Sequence, residues 1–198
     1  MNQDQPLFHN NDKLRQAVNW AIDRPQMVRQ HGAKAGVVTS QILPYGFPGH
    51  NPKAVYPVVA SKSPNFVKGK ALASANLRGG KCEFWTFNTL VRPGVAQVVQ
   101  YDLKQIGLDC SITPLDRVVE TTKGGTKGAK FDLLLNGWGQ DYPDPYDFIN
   151  ILLDGDRHQA GEQRQPVVLQ QPEVQQPDAF GCQEGRCGTV LGVRQARP

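Results

Sequence analysis

One stretch of the chain limits the possible folds more than any other: a strand pattern, a helix pattern and a second strand pattern in succession, with short joints. Cys82-Glu83-Phe84-Trp85-Thr86-Phe87-Asn88 is rich in aromatic residues and reads as a strand. Pro93 then opens a helix whose apolar positions, Val95, Val98, Val99, Leu103 and Ile106, recur at helical spacing. Gly107 stands where a helix ends most cheaply in a left-handed residue. Beyond it, Leu108, Cys110 and Ile112 alternate as a strand does. Strand, helix and strand joined this tightly form a βαβ unit, which requires parallel pairing and a right-handed crossover. The expected fold class is therefore α/β.

The flanking sequence fits around that unit. Asn11 and Asp12 precede an amphipathic helix with Leu14, Ala17, Val18, Ala21 and Ile22 on one face. Asp23 caps a second short helix with Pro25 in its first turn, where a missing N–H is tolerated, and Gly32 stops it. Residues 36–66 carry Pro44, Pro48, Pro52, Pro57 and Pro64 with several glycines, and read as an irregular surface segment. A short helix is expected over residues 68–77, ending near Gly79-Gly80, and a polar loop over residues 121–130. Phe131-Asp132-Leu133-Leu134-Leu135 reads as a short buried strand, and Pro145 as the first turn of a helix carrying Phe148, Ile149, Leu152 and Leu153. Residues 158–198 contain nine Gln and four Pro with no sustained period, which reads as a disordered or poorly packed tail.

Composition excludes several classes. A chain of 198 residues, 39% hydrophobic and 20% charged, has the make-up of a globular protein of one or two domains. No apolar run approaches the ~18–20 residues that cross a bilayer. The start, Met1-Asn2-Gln3-Asp4-Gln5-Pro6, has no basic and apolar signal pattern. Residues 1–157 hold 18 Lys+Arg against 14 Asp+Glu, and residues 158–198 hold four of each. The net +4 is thus confined to the body and scattered there, densest at Lys62, Lys68, Lys70, Arg78 and Lys81. A nucleic-acid groove wants a basic stripe interleaved with aromatic residues, and none is evident. A small basic nucleic-acid-binding protein stays as the alternative reading. Cys82, Cys110, Cys182 and Cys187 lack the paired spacing of a zinc site, and Cys82 and Cys110, flanked by apolar strand residues, read as buried free thiols.

Enzymatic motifs are missing. His9, His31, His50 and His158 have no nucleophile or carboxylate at a recognisable spacing, and the chain lacks GxSxG, HExxH, a phosphate-cradling GxxxxGK[ST] or GxGxxG after a strand. Gly124-Gly125-Thr126-Lys127-Gly128 reads as a flexible turn. Asp141, Asp144 and Asp147 could serve acid/base work or a hard cation, but Pro143 and Pro145 hold them on a rigid turn without further acidic ligands. No catalytic residue, metal or cofactor is expected, although a small hydrolase acting through this aspartate loop stays as a minor rival.

A binding reading suits this loop better. It leaves the carboxyl end of a strand, where open α/β sheets place ligands. Trp138 and Tyr142 offer flat surfaces to an organic ligand, and Asp141 a carboxylate for an amine. Gly137 and Gly139 let the backbone approach closely. The structural alternative makes Trp138 a core residue and the aspartates helix caps, Asp144 beside Pro145 fitting an N-cap.

Several ordered motifs are then distinctive together: Leu7-Phe8-x-Asn10, Leu14-Arg15-Gln16-Ala17-Val18-Asn19-Trp20-Ala21-Ile22-Asp23-Arg24, Gly32, Val98-Val99-Gln100-Tyr101-Asp102-Leu103-Lys104-Gln105-Ile106-Gly107-Leu108, Phe131-Asp132, and Gly137-Trp138-x-x-Asp141-Tyr142-Pro143-Asp144-Pro145-Tyr146-Asp147-Phe148. In this, roughly residues 7–157 resemble the family 5 extracellular solute-binding proteins, the dipeptide, oligopeptide and nickel type that serve ABC importers. The resemblance implies a lobe of the type II periplasmic-binding-protein fold, part of a clamshell that closes on ligand by a hinge. It implies a peptide or small solute as ligand, permease subunits as partners, and an extracellular, periplasmic or cell-surface location. It places Asp141 at the ligand's α-amino group and Trp138 on the pocket wall. The candidate substrate-binding set is Asn136, Trp138, Gly139, Asp141 and Tyr142; Leu135-Asn136 supplies no base for a ligand carboxylate.

Members of that family are typically longer, with a leader and a first lobe. The expected organisation is therefore a partial second lobe over residues 1–157, and a low-complexity tail over 158–198 that has the look of a shifted reading frame. A single lobe offers half a cleft, so weak binding is expected of it.

Overall fold

A computed structural model of the chain describes residues 1–32, 36–53, 55–59 and 61–153, all within a unit spanning Met1–Gln163. The expectations for the tail, and for Cys182 and Cys187, lie outside the described residues.

Two helices open the chain as their caps dictate. In α1 (Asp12–Ala21) the Asn11 side chain accepts from the Leu14 N–H, and Leu14, Ala17, Val18 and Ala21 are buried. In α2 (Arg24–His31) the Asp23 carboxylate accepts from the Gln26 N–H at 2.9 Å, with Pro25 in the first turn and Gly32 as C-cap. The irregular segment follows as expected. Helix α3 (Phe66–Ala73) sits earlier than residues 68–77, because Asn65 caps it through the Lys68 N–H at 3.0 Å. It lies tightly on α1 at Gly69, where a Cβ would come within 2.9 Å of Ile106 Cγ2 and 3.3 Å of the Ala17 carbonyl.

The βαβ unit forms as expected. Strand β1 (Lys81–Phe87), helix α4 (Arg92–Gln105) and strand β2 (Asp109–Leu115) make a parallel pair in the register Cys82↔Cys110 and Phe84↔Ile112. The Asn88 N–H extends the pairing to the Leu115 carbonyl at 2.7 Å. Gly107, at φ +97°, turns the chain from α4 into β2.

One element contradicts the expected polar loop over residues 121–130. Helix α5 (Arg117–Gly124), capped by the Asp116 side chain on the Val118 N–H at 2.9 Å, runs into the first four residues of that loop. Its sequence, rich in β-branched residues and ending in glycine, is a poor helix former. Packing supplies what propensity lacks: α5 lies close against β3, where a Cβ on Gly124 would stand 3.2 Å from Leu134. The Gly/Thr/Lys stretch after it does turn, through Thr126 N–H to Lys123 O.

Strand β3 is shorter than residues 131–135: only Leu133–Leu135 pair, with β1. Asp132 replaces part of the ladder, its carboxylate accepting from the Glu83 N–H and its own N–H donating to the Glu83 carbonyl, both at 2.8 Å. Helix α6 (Pro145–Leu153) closes the described chain.

The sheet order is β2-β1-β3, all parallel. Cys82, Phe84, Cys110 and Leu133 join Ala96, Val99 and Leu103 of α4, its C-cap Ile106 and the buried face of α1 in one core. Side chains alternate across a strand, so Leu134, against α5, faces the other way from Leu133. Helices thus cover both faces, and β2 and β3 lie on opposite sides of β1, so the strand order switches direction there. In open α/β sheets ligands bind beyond the carboxyl ends of the strands at such a switch point.

Candidate ligand-binding site

The loop at residues 136–144 leaves the carboxyl end of β3 at that switch point. Two buried or capping aspartates shape it. Asp144 Oδ1 accepts from the Tyr146 N–H at 2.8 Å, and its carbonyl accepts from the Asp147 N–H at 3.1 Å, which starts α6. Asp147 is fully buried; its Oδ2 accepts from the Asp141 N–H at 2.9 Å and from Trp138 Nε1 at 3.3 Å. One carboxylate therefore pins the backbone at Asp141 and the indole of Trp138 together. Its Oδ1 has no hydrogen-bond partner among the described residues.

The sequence-derived candidates fall on one exposed surface. Asn136, Trp138, Gly139, Asp141 and Tyr142 are all exposed, Trp138 at 40% and Tyr142 at 42%. Trp138 is thus not a core residue, and of the three aspartates Asp144 and Asp147 serve structure while Asp141 keeps its side chain in solvent. Asn136 spends its side chain locally, accepting from the Gly137 N–H at 2.7 Å. Gly139 is surrounded by open space, so neither φ nor crowding requires a glycine there.

Sequence reasoning missed the base that the loop lacks. Arg92 Nη1 donates to the Asn136 carbonyl at 3.3 Å, and its guanidinium lies 4.7 Å over the Phe87 ring. A side chain at Gly137 would collide with Arg92 Nη2. Arg117 lies 5.9 Å from the same ring. Both arginines occupy the first position of a helix, where the macrodipole disfavours a cation. That misplacement, repeated after two strands, was the readable signal.

Glu120 completes the cluster. It stands one helical turn after Arg117, is fully buried, and neither carboxylate oxygen has a hydrogen-bond partner among the described residues. Burial raises its pKa, and the charges of Arg92 and Arg117 oppose the rise. Burial likewise lowers the pKa of Arg92, with Glu120 opposing. The edge of the sheet thus places an arginine against the start of a loop that carries an exposed carboxylate and exposed aromatic rings.

This is an open face. A concavity of about 820 Å³ is lined by Trp20, Tyr56, Pro57 and Phe66, and none of the loop residues borders it. No group of three or more His, Cys, Asp or Glu among the described residues could hold a metal ion. No described helix is long and apolar enough to cross a membrane.

The sequence pattern of the bacterial extracellular solute-binding proteins, family 5 Middle, matches residues 1–159. The chain belongs to this family. The family is described by solute binding. No curated protein matches the sequence. Solved structures do. A dipeptide-binding protein from Pseudoalteromonas sp. SM9913, in complex with Met-Leu, is 25% identical with a TM-score of 0.57, over 75% of this chain and 29% of that one. DppA from Helicobacter pylori, an ABC transporter-associated periplasmic binding protein in complex with the peptide STSA, is 24% identical with a TM-score of 0.61, over 75% and 28%. The ABC transporter substrate-binding protein CtaP from Listeria monocytogenes is 22% identical with a TM-score of 0.66, over 79% and 32%. The fold is that of a periplasmic-binding-protein-like lobe, and the chain spans under a third of the length of these family 5 relatives.

Proposed function

We propose that the chain supplies ligand-contacting surface to a peptide-binding component of an ABC importer, acting outside the cytoplasm and docking on permease subunits. Asp141 receives the ammonium group of the peptide, Trp138 and Tyr142 cover its body, and Arg92 at the same sheet edge receives an anionic group such as its carboxylate. No bond is made or broken in this role. The observation that carries the reading is the Asp147 clamp, which fixes Trp138 and the Asp141 backbone while leaving the Asp141 side chain in solvent. The Met-Leu and STSA complexes of the relatives support a peptide ligand.

An open face binds weakly, so the test reads the Trp138 indole N–H by NMR while short peptides are titrated to millimolar concentration. Free-amine dipeptides should shift that resonance, and their N-acetylated counterparts should not. Equal shifts from both, or none from either, would overturn the assignment of Asp141. Binding to mixed single-stranded DNA with a steep salt slope would instead favour a nucleic-acid role, because phosphate contacts release counterions.

A further inference from the structure

We propose that Cys82 and Cys110 are a disulfide-forming pair, joining β1 to β2 when the chain folds in an oxidising compartment. The two residues are direct partners in the parallel register, and both are buried, at 4% exposure each. Both join the same core cluster under α4, so their side chains leave the sheet on one side. Neighbouring strands lie roughly 4.8 Å apart, inside the ~4.4–6.8 Å between Cα atoms that disulfides span. In this structure both thiols are free. Residues paired in this register need no backbone rearrangement to reach that spacing. The family is described as extracellular, and disulfides persist outside the cytoplasm.

The chemistry is thiol–disulfide exchange with a small-molecule or protein disulfide as oxidant. One cysteine, as its thiolate, attacks the oxidant and releases one of its thiols, forming a mixed disulfide. The second cysteine, having lost its proton, attacks that mixed disulfide, closes the Cys82–Cys110 bond and releases the other thiol. Two cysteine thiols are oxidised by two electrons, and one oxidant disulfide is reduced to two thiols. Contact with Cys110 and burial both push the Cys82 pKa upward, so the folded pair resists attack. The bond closes while the strands are assembling, and burial protects it afterwards.

Tryptic cleavage after Lys81, Lys104 and Arg117 separates the two cysteines into different peptides. The full chain is refolded with oxidised glutathione, alkylated without reduction, digested and mapped by mass. A parallel sample is oxidised in denaturant. The expected result is a linked pair of peptides, residues 82–104 with 105–117, lighter by two hydrogen atoms than their sum. It should be the predominant disulfide of Cys82, at a share no lower than in the denatured sample, and the double variant C182S/C187S should keep it. Full alkylation of Cys82 and Cys110 after oxidative refolding would overturn the proposal. So would predominant linkage of either to Cys182 or Cys187, or a smaller share than in the denatured sample.

Discussion

The two sides of the sheet's architecture obey different rules. Under α4, the layer of Cys82, Phe84, Leu103, Ile106 and Leu108 is apolar and closed, and every residue there is explained by burial. At the carboxyl edge, Glu120 is buried with no hydrogen-bond partner among the described residues, Arg92 and Arg117 sit at the wrong ends of their helices, and Trp138 is half in water. Each of these features costs stability by ordinary physical chemistry. Costs gathered at one edge are what a binding site would require, and they support the site proposed there.

The sharpest break is expected in the apolar layer. Leu103→Ala should destabilise the chain by about 2–5 kcal/mol, because the cavity beneath α4 collapses only in part. Denaturant unfolding measures it, and a loss below 1 kcal/mol, the size of a surface change, would mean that α4 is not the principal lid on the sheet.

Asp102 is an acidic intruder in that same helix. It is 3% exposed and accepts from the Asp23 N–H at 2.8 Å. Burial lifts its pKa from 3.8 to about 6, the Asp23 N–H opposing the rise and the Asp23 carboxylate adding to it. A raised carboxyl pKa means that the folded state holds the proton longer than the unfolded chain. Its stabilising contribution is therefore complete below pH 3.8 and is lost as pH climbs through 6, by on the order of 3 kcal/mol. Asp102→Asn keeps an acceptor for Asp23 and removes the titration. Melting curves from pH 4 to 7 should then lose this component of their slope, and an unchanged slope would contradict the shifted carboxyl.

Legibility followed the same division. Helices α1 and α2 and the β1–α4–β2 unit could be read because caps and apolar periods state them locally. Helix α5 could not, since Val118, Val119, Thr121 and Thr122 argue against a helix, and its support comes from Leu134 in a later strand. Strand β3 was overestimated because a side chain, Asp132, substitutes for ladder hydrogen bonds. At the site, the Asp144 cap is a local pattern and was legible. The Asp147 clamp reaches back six and nine residues through a turn, and Arg92 meets the loop from 44 residues away, so neither has a local signature.

The edge itself can be divided by two substitutions. Asp147→Ala strips the acceptor from the Asp141 N–H and Trp138 Nε1, and should cost about 1–3 kcal/mol, as expected for two hydrogen bonds to one buried carboxylate. It should also broaden the Trp138 indole resonance as the loop loses its anchor. A sharp resonance at its original position would show that the loop is held by something other than Asp147.

Asp141→Asn is the smallest structural change and the most telling. Its side chain is in solvent and the clamp engages only its backbone, so stability should move by less than about 0.5 kcal/mol. The response of Trp138 to free-amine dipeptides should nevertheless disappear, because an amide carries no charge for the ammonium. Where Leu103→Ala alters stability through the closed layer, Asp141→Asn alters recognition at the open edge. A variant that loses stability and keeps its peptide response would reverse the two roles, and would place the ammonium contact on another residue of the loop.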